Sequence, residues 1–244
     1  MSDSASDLKP AGGRPGRIWI ILILALAVVG LLIGLAGLST QEPGAEFKNV
    51  IGAGDSQRIF GGVRQFDDRL GSEDAPIQIQ YFADVQSSTY SDQFLETIPP
   101  TVSTDVRDGG VQFLFRNRSL TQNATELSFY GVQAAANQGY GWQFAYLMVR
   151  NQEEAEKHRL TEDFLETLAG AIPHLELLEW KEDFDKGVDP GSEMTADLQA
   201  QDELAINAKI RDEPAFIVSG PGGTQILQDA PDLDRLQLAI DEVR

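Results

Sequence analysis

Residues 75–94 read APIQIQYFADVQSSTYSDQF, and this stretch decides the fold. Apolar and polar residues alternate over 77–82, a pattern typical of a β-strand with one buried face. Ser87, Ser88 and Thr89 then mark a helix start, because short polar side chains bond well to the unpaired amides of a first turn. The stretch therefore predicts a strand that leads directly into a helix.

The elements around this corner follow in the order β-α-β, a helical block, then β-β-α. They are a helix over 88–106, a strand over 111–116, helical patterns within 124–208, strands over 215–219 and 224–227, and an amphipathic helix over 232–243. Pro99 and Pro100 should bend or break the first helix, since neither has an amide hydrogen to donate. We expect the first two strands to be parallel and the last two to form a hairpin in the same sheet.

Five short motifs occur in one order along residues 60–228. They are LGSEDAPI at 70–77, FADVQ at 82–86, FLFR at 113–116, AAANQG at 134–139 and EPAFIV at 213–218. Together they resemble the bacterial DsbA-like thiol oxidoreductases of the thioredoxin fold. The resemblance implies an α/β domain of this kind, with its helical insertion at about 124–208.

The chain departs from this family at the residues that carry the chemistry. Where the family has Cys-x-x-Cys, the chain has Ser87, Ser88, Thr89 and Tyr90, and it contains no cysteine. Disulfide exchange needs a thiolate that attacks sulfur, and a serine hydroxyl has no equivalent redox couple. We therefore expect a redox-inactive domain with no catalytic residue and no cofactor, in which these neutral side chains cap the helix.

A second position of interest follows from the same resemblance. Pro214 would be the cis-proline that faces the redox motif, and Glu213 before it would pair its backbone with an extended substrate. The family usually has Thr or Val before this proline, so Glu213 is a further departure. A plainer interpretation is that Pro214 simply begins a strand, a position that proline tolerates.

Two functions from different classes remain open. The domain can bind extended polypeptide by strand addition without chemistry, as a module for binding or assembling exported or envelope proteins, and we favour this interpretation. The alternative is an enzyme in which Ser87 supports the thiolate of a bound small thiol, as in the similar kappa-class glutathione transferases. The fold by itself would also suggest a thiol oxidoreductase, but a fold does not establish function, and the residues at 87–90 contradict that activity. His158 and His174 have no third ligand at a suitable spacing, so that no metal site is predicted.

The first 57 residues precede this domain. Residues 18–38 form an uncharged apolar run of 21, which matches the ~20 residues needed to cross a bilayer. Lys9, Arg14 and Arg17 lie before it, and the basic flank belongs on the cytoplasmic side. We expect a cytoplasmic tail (1–17), a single transmembrane helix (18–38), a linker (39–57) and an extracytoplasmic domain (58–244) in the cell membrane. Small residues at 34–36 also fit a signal-peptidase site, so a cleaved signal is the alternative.

The charge of the chain restricts its partners. The net charge is −19 at pH 7, and a surface of this sign repels nucleic acid and anionic headgroups. We therefore expect no nucleic-acid partner. The expected partners are the membrane, through the N-terminal helix, and exported polypeptides.

Overall fold

The computed structural model describes residues 49–117, 126–158 and 160–244, within a unit that extends over Phe47–Arg244. The predicted tail and membrane span, and the linker as far as residue 48, lie outside these ranges. Within the described residues, no helix has the length and apolar character that crossing a bilayer requires.

A six-stranded mixed sheet forms the centre of the domain. Its strands are β1 (Gln65–Phe66), β2 (Arg69–Leu70), β3 (Ile77–Ala83), β4 (Val111–Asn117), β5 (Ala215–Gly220) and β6 (Gly223–Leu227). They lie in the order β1-β2-β4-β3-β5-β6. β3 and β4 are parallel, and the other neighbours are antiparallel. The predicted β-α-β unit and the closing hairpin in the same sheet are therefore confirmed.

Helices cover the sheet and form the insertion. They are α1 (Ala53–Phe60), α2 (Ser88–Thr101), α3 (Glu126–Asn137), α4 (Gly141–Arg150), α5 (Gln152–His158), α6 (Glu162–Gly170), α7 (Leu177–Gly187), α8 (Glu193–Asn207) and α9 (Leu233–Val243). The helices α3 to α8 occupy the stretch predicted to be helical. Thr161 and Asp232 cap α6 and α9 by accepting a backbone amide, as side-chain oxygens at this position usually do.

The sheet and the insertion share one hydrophobic core. Ile79 and Tyr81 of β3 and Phe113 of β4 are fully buried, and so is Trp180 of α7. The Trp142 ring of α4 lies 5.5 Å from the Phe113 ring, measured between centroids. Because the aromatic side chains of the insertion pack directly on the sheet, the insertion helps to hold the strand-to-helix corner in place.

The helix after the corner differs from the prediction at its prolines. α2 continues through Pro99 and Pro100 and then becomes a π-helix over Val102–Val106. Because the two prolines have no amide hydrogen, the regular α-helical hydrogen bonds are interrupted at these residues, and the wider π-helix follows directly. The hydroxyls of Ser103 and Thr104 donate to the carbonyls of Pro99 and Pro100, at 2.8 and 3.2 Å. The helix is therefore continuous there, with a changed hydrogen-bond register.

The folded part also begins earlier than the predicted residue 58. α1 starts at Ala53, inside the stretch assigned to the linker (39–57). This start was missed because Gly-Asp-Ser has the composition of a loop, although Ile59 and Phe60 of the helix are buried. Asn151 holds the segment before α1: its Oδ1 accepts the Ile51 amide at 2.9 Å, and its Nδ2 donates to the Ile51 carbonyl at 3.0 Å.

We expect Asn151→Ala to lower the free energy of unfolding by about 1–3 kcal/mol, because it removes the hydrogen bonds of a side chain that is shielded from water. Asn151 is only 1% exposed, and its Nδ2 also bonds the Leu147 carbonyl. Urea unfolding of the full chain checks this. Asn207→Ala, at the exposed end of α8, is the matched control, and an equal loss in both variants would contradict the assignment.

Candidate functional site

The corner between β3 and α2 has the predicted form. β3 ends at Ala83, α2 begins at Ser88, and Ser87 is the residue that precedes the first helical turn, with φ −81° and ψ 111°. The Ser87 amide donates to the Asp84 carbonyl at 3.1 Å. The Ser87 hydroxyl, however, makes no capping bond to the helix, so the predicted capping role is wrong for this side chain. Thr89 and Tyr90 belong to α2, but their side chains, like that of Ser88, lie outside the described part of the structure.

A buried carboxyl group lies in the corner, three residues before Ser87. Asp84 is 8% exposed, and its Oδ1 accepts the Gln86 amide at 2.8 Å. Burial raises the pKa of Asp84 to about 6, and the bond from Gln86 offsets part of this effect. The corner therefore holds an acid that changes its charge close to neutral pH, although the chain has no thiol beside it.

Two glutamines fix the corner to the helical insertion. Gln86 Nε2 donates to the Ser128 hydroxyl of α3 at 2.8 Å. Gln152 of α5 donates to the Val85 carbonyl from a buried position. Both bonds join the corner to the insertion, so that hydrogen bonds fix the corner on this side.

A second buried network lies beneath the corner. The Tyr81 hydroxyl donates to Gln93 Oε1 at 3.0 Å, and Gln93 Nε2 donates to the Pro231 carbonyl at 2.9 Å. Burial, and then the negative charge of Glu213, raise the pKa of Tyr81 above its ordinary value. The phenol is therefore a neutral structural group at physiological pH.

Among the described side chains, those at the corner pack closely together. A shallow depression there is lined by Tyr81, Asp84, Ser87, Ser91, Phe94 and Val149. The buried Ser91 hydroxyl has no hydrogen-bond partner among the described residues. These described side chains enclose no deep pocket beside Ser87.

The segment with Glu213 and Pro214 lies next to the corner. The peptide bond between them is cis, as the resemblance implied. β3 pairs with β5 so that Phe82 lies opposite Ala215, and the same register continued by two residues places Glu213 opposite Asp84. Glu213 is 3% exposed and Pro214 is buried. The side chains of both residues are therefore largely shielded from solvent.

The sequence predicted the position of the corner but missed the groups that support it. Asp84 was visible only as part of the FADVQ motif, and its burial had no separate signal. Gln86 was visible only as the last residue of the same motif, and the bonds of Gln86, Gln93 and Gln152 had no signal, because their partners lie far away along the chain. No cluster of three or more His, Asp or Glu side chains in residues 49–117, 126–158 and 160–244 is arranged to hold a metal.

Comparison with known proteins identifies the fold. No protein-family model matches the chain, and no curated protein matches it in sequence. Oxidised BdbD from Bacillus subtilis matches in structure with a TM-score of 0.61 at 18% identity, over 74% of this chain and 96% of that one. Chlamydia trachomatis DsbA matches with a TM-score of 0.60 at 15% identity, over 72% of this chain and 91% of that one.

Wolbachia pipientis α-DsbA1 gives the same result, with a TM-score of 0.58 at 16% identity over 72% of this chain and 90% of that one. The chain has the DsbA-like thioredoxin fold. At these identities the likeness concerns the fold alone, and what this DsbA-like domain does has to be argued from its own residues.

We expect Ser87→Cys combined with Tyr90→Cys to create an intrachain disulfide that oxidises a model dithiol peptide. The two positions begin a helix at the end of a buried strand, where the helix N-terminus lowers the pKa of a thiol. Mass spectrometry and peptide fluorescence report the two steps. Ser87→Cys alone is the control and should give only mixed disulfides. If the double variant forms no intrachain bond, the corner does not have the redox geometry.

The stability of the domain should also depend on pH through Asp84. Its folded pKa of about 6 exceeds the ordinary 3.8, so that the folded state binds more protons than the unfolded state between these values. The contribution of Asp84 to the free energy of unfolding is then fully present below pH ~4. It is lost as the pH rises through ~6, and the loss amounts to roughly 2–3 kcal/mol.

Asp84→Asn removes this titration and keeps an oxygen for the Gln86 amide. The free energy of unfolding of the wild type, minus that of the variant, should fall between pH 4 and pH 7 in urea titrations. A carbon-13 titration of the Asp84 carboxyl should have its midpoint near 6. A difference that stays constant with pH would show that Asp84 is not buried as described.

Proposed function

We propose that this chain binds polypeptide through a redox-inactive DsbA-like domain, in the binding or assembly of exported or envelope proteins. The observation that carries the proposal is Ser87, which stands where α2 begins in a chain without cysteine. The strand, the helix start and the adjacent cis-proline segment are all kept. The part of the site that performs thiol chemistry is missing, while the fold around it remains, and polypeptide binding needs the fold but no thiol.

The chemistry of the site supports binding rather than catalysis. Solved structures with this fold include one named as the thiol-disulfide exchange protein α-DsbA2 of Wolbachia pipientis. Exchange of that kind requires a thiolate nucleophile and a leaving thiolate, and this chain supplies neither. A small-thiol enzyme would need a pocket beside Ser87, and the described side chains there enclose no space for one.

The N-terminal segment supports a role at the membrane. The apolar run over residues 18–38, with its basic flank, has the length and charge distribution of a single-pass anchor whose following domain is extracytoplasmic. In this arrangement the domain meets polypeptides as they leave the cytoplasm. The net charge of −19 keeps it away from anionic headgroups, so that its binding surface stays available to those polypeptides.

Fluorescence anisotropy with the full chain, purified in detergent micelles, tests the proposal. The probes are labelled extended peptides without cysteine, and a tightly folded small protein with the same label is the control. We expect the peptides to bind and the folded protein not to bind, with no effect of oxidants or reductants. Absence of binding by every peptide would overturn the proposal. Binding of glutathione that is lost in Ser87→Ala would instead establish the thiol-dependent enzyme.

A further inference from the structure

The strand β6 leaves one side of the sheet open. It is the last strand in the sheet order and pairs only with β5 among the described strands. Residues 223–226 are all exposed, and the Ile226 side chain retains 48% of its accessible surface. The opposite end of the sheet has only the two-residue strand β1, so that β6 is the longer of the two edges.

The backbone of β6 presents unpaired groups along this edge. Gly220 and Gly223 flank the two-residue turn of the β5–β6 hairpin and therefore form a hydrogen-bonded pair. Pairs alternate in an antiparallel ladder, so Thr224 and Ile226 lie in the pairs whose N–H and C=O groups point away from β5. These two residues offer an incoming strand the donors and acceptors of an added ladder.

Nothing in the sequence of β6 protects the edge from such pairing. Natural edge strands are usually blocked by lysine, proline, a bulge or a covering segment. β6 reads GTQIL, without a charged residue or a proline. Ile226 also lies opposite Ile217, which packs against the small cluster around Phe82 and Ala215. An added strand would therefore gain an apolar contact as well as backbone hydrogen bonds.

Acidic residues lie at both ends of the strand. At the turn, the Gly222 amide donates to the Val243 carbonyl, and this bond brings the exposed Glu242 close to the strand. The nearby Arg244 is paired with Asp105 and Asp241. At the other end, Arg211 and Arg235 contact Gln228, and they are outnumbered by the exposed acids Asp212, Asp229, Asp232 and Asp234. This charge attracts a cationic segment and repels a second copy of the chain.

We propose that β6 is the docking edge of this domain and that it takes an extended, positively charged polypeptide segment as an added strand. The proposal rests on the polypeptide-binding function proposed above and assigns it a place and a class of partner. Backbone hydrogen bonds supply the affinity, alternate apolar side chains of the segment lie on Ile226, and its lysine or arginine side chains meet the acidic ends.

A peptide with alternating valine and lysine, free of cysteine and labelled for anisotropy, tests the proposal on the full chain in detergent micelles. We expect it to bind, less tightly as salt rises, and a valine–glutamate peptide not to bind. Thr224→Pro removes one outward amide and should weaken binding about tenfold or more. Thr224→Ala is the matched control, since it loses only the hydroxyl contact with Ser219 at 3.1 Å and should bind as the wild type does.

A second pair of variants tests the β6 edge without introducing a proline into it. Ile226→Lys places a charge on the edge that repels the cationic peptide and should weaken binding to a similar extent. Leu178→Lys makes the same change in charge on α7, where the side chain is 86% exposed, and should have no effect. Circular dichroism and thermal unfolding confirm that each variant is folded.

The outcomes separate this proposal from the proposed function. If the valine–lysine peptide binds all variants equally, β6 is not the docking edge, while polypeptide binding itself stands. If no peptide binds the wild type, both proposals fail. Equal binding of the valine–glutamate peptide overturns the assignment of a cationic partner. Self-association of the wild type that Thr224→Pro abolishes would show that β6 pairs with a second copy, which also overturns it.

Discussion

The central position of β3 is the constraint on which the rest of the structure depends. β3 pairs with β4 on one side and with β5 on the other along nearly its whole length. Ile77, Ile79 and Tyr81 are fully buried on one face, and a shift of one residue would turn all three toward the opposite face. The register is therefore fixed on both sides. Because the corner follows the strand without a gap, the positions of Asp84 and Ser87 are fixed with it.

This constraint explains why the corner persists without its chemistry. The residues that maintain it are Tyr81 with Gln93 beneath the corner, and Gln86 and Gln152 toward the insertion. None of these bonds involves positions 87 or 90, so thiols at those positions can be absent while the fold stays intact. Asp84 remains buried with a raised pKa, a feature that would suit proton transfer to or from a neighbouring nucleophile. The same burial reduces stability at neutral pH.

The parts of the fold that sequence could predict are those with strong periodicity. The four long strands were placed to within about one residue, because their alternation and the Gly-Pro-Gly-Gly turn are local signals. α1 was missed since its first residues have loop composition, and β1 and β2 are too short to show any period. At the site, the FADVQ and EPAFIV motifs located Ser87 and the cis-proline, but they gave no sign that Glu213 is buried. Burial of this kind comes from segments that meet only in the folded chain.

The corner after β3 and the edge at β6 differ in how accessible they are to a polypeptide. An enzyme of this fold must bring its substrate to the helix start, because the reacting atom is there. A binding module has no such requirement, and it is free to use whichever backbone groups are exposed. At the corner, the side chains of Glu213 and Pro214 are buried, so that they offer little surface to a partner. At β6 the backbone is already exposed, so that docking there costs no rearrangement of the core that β3 holds together.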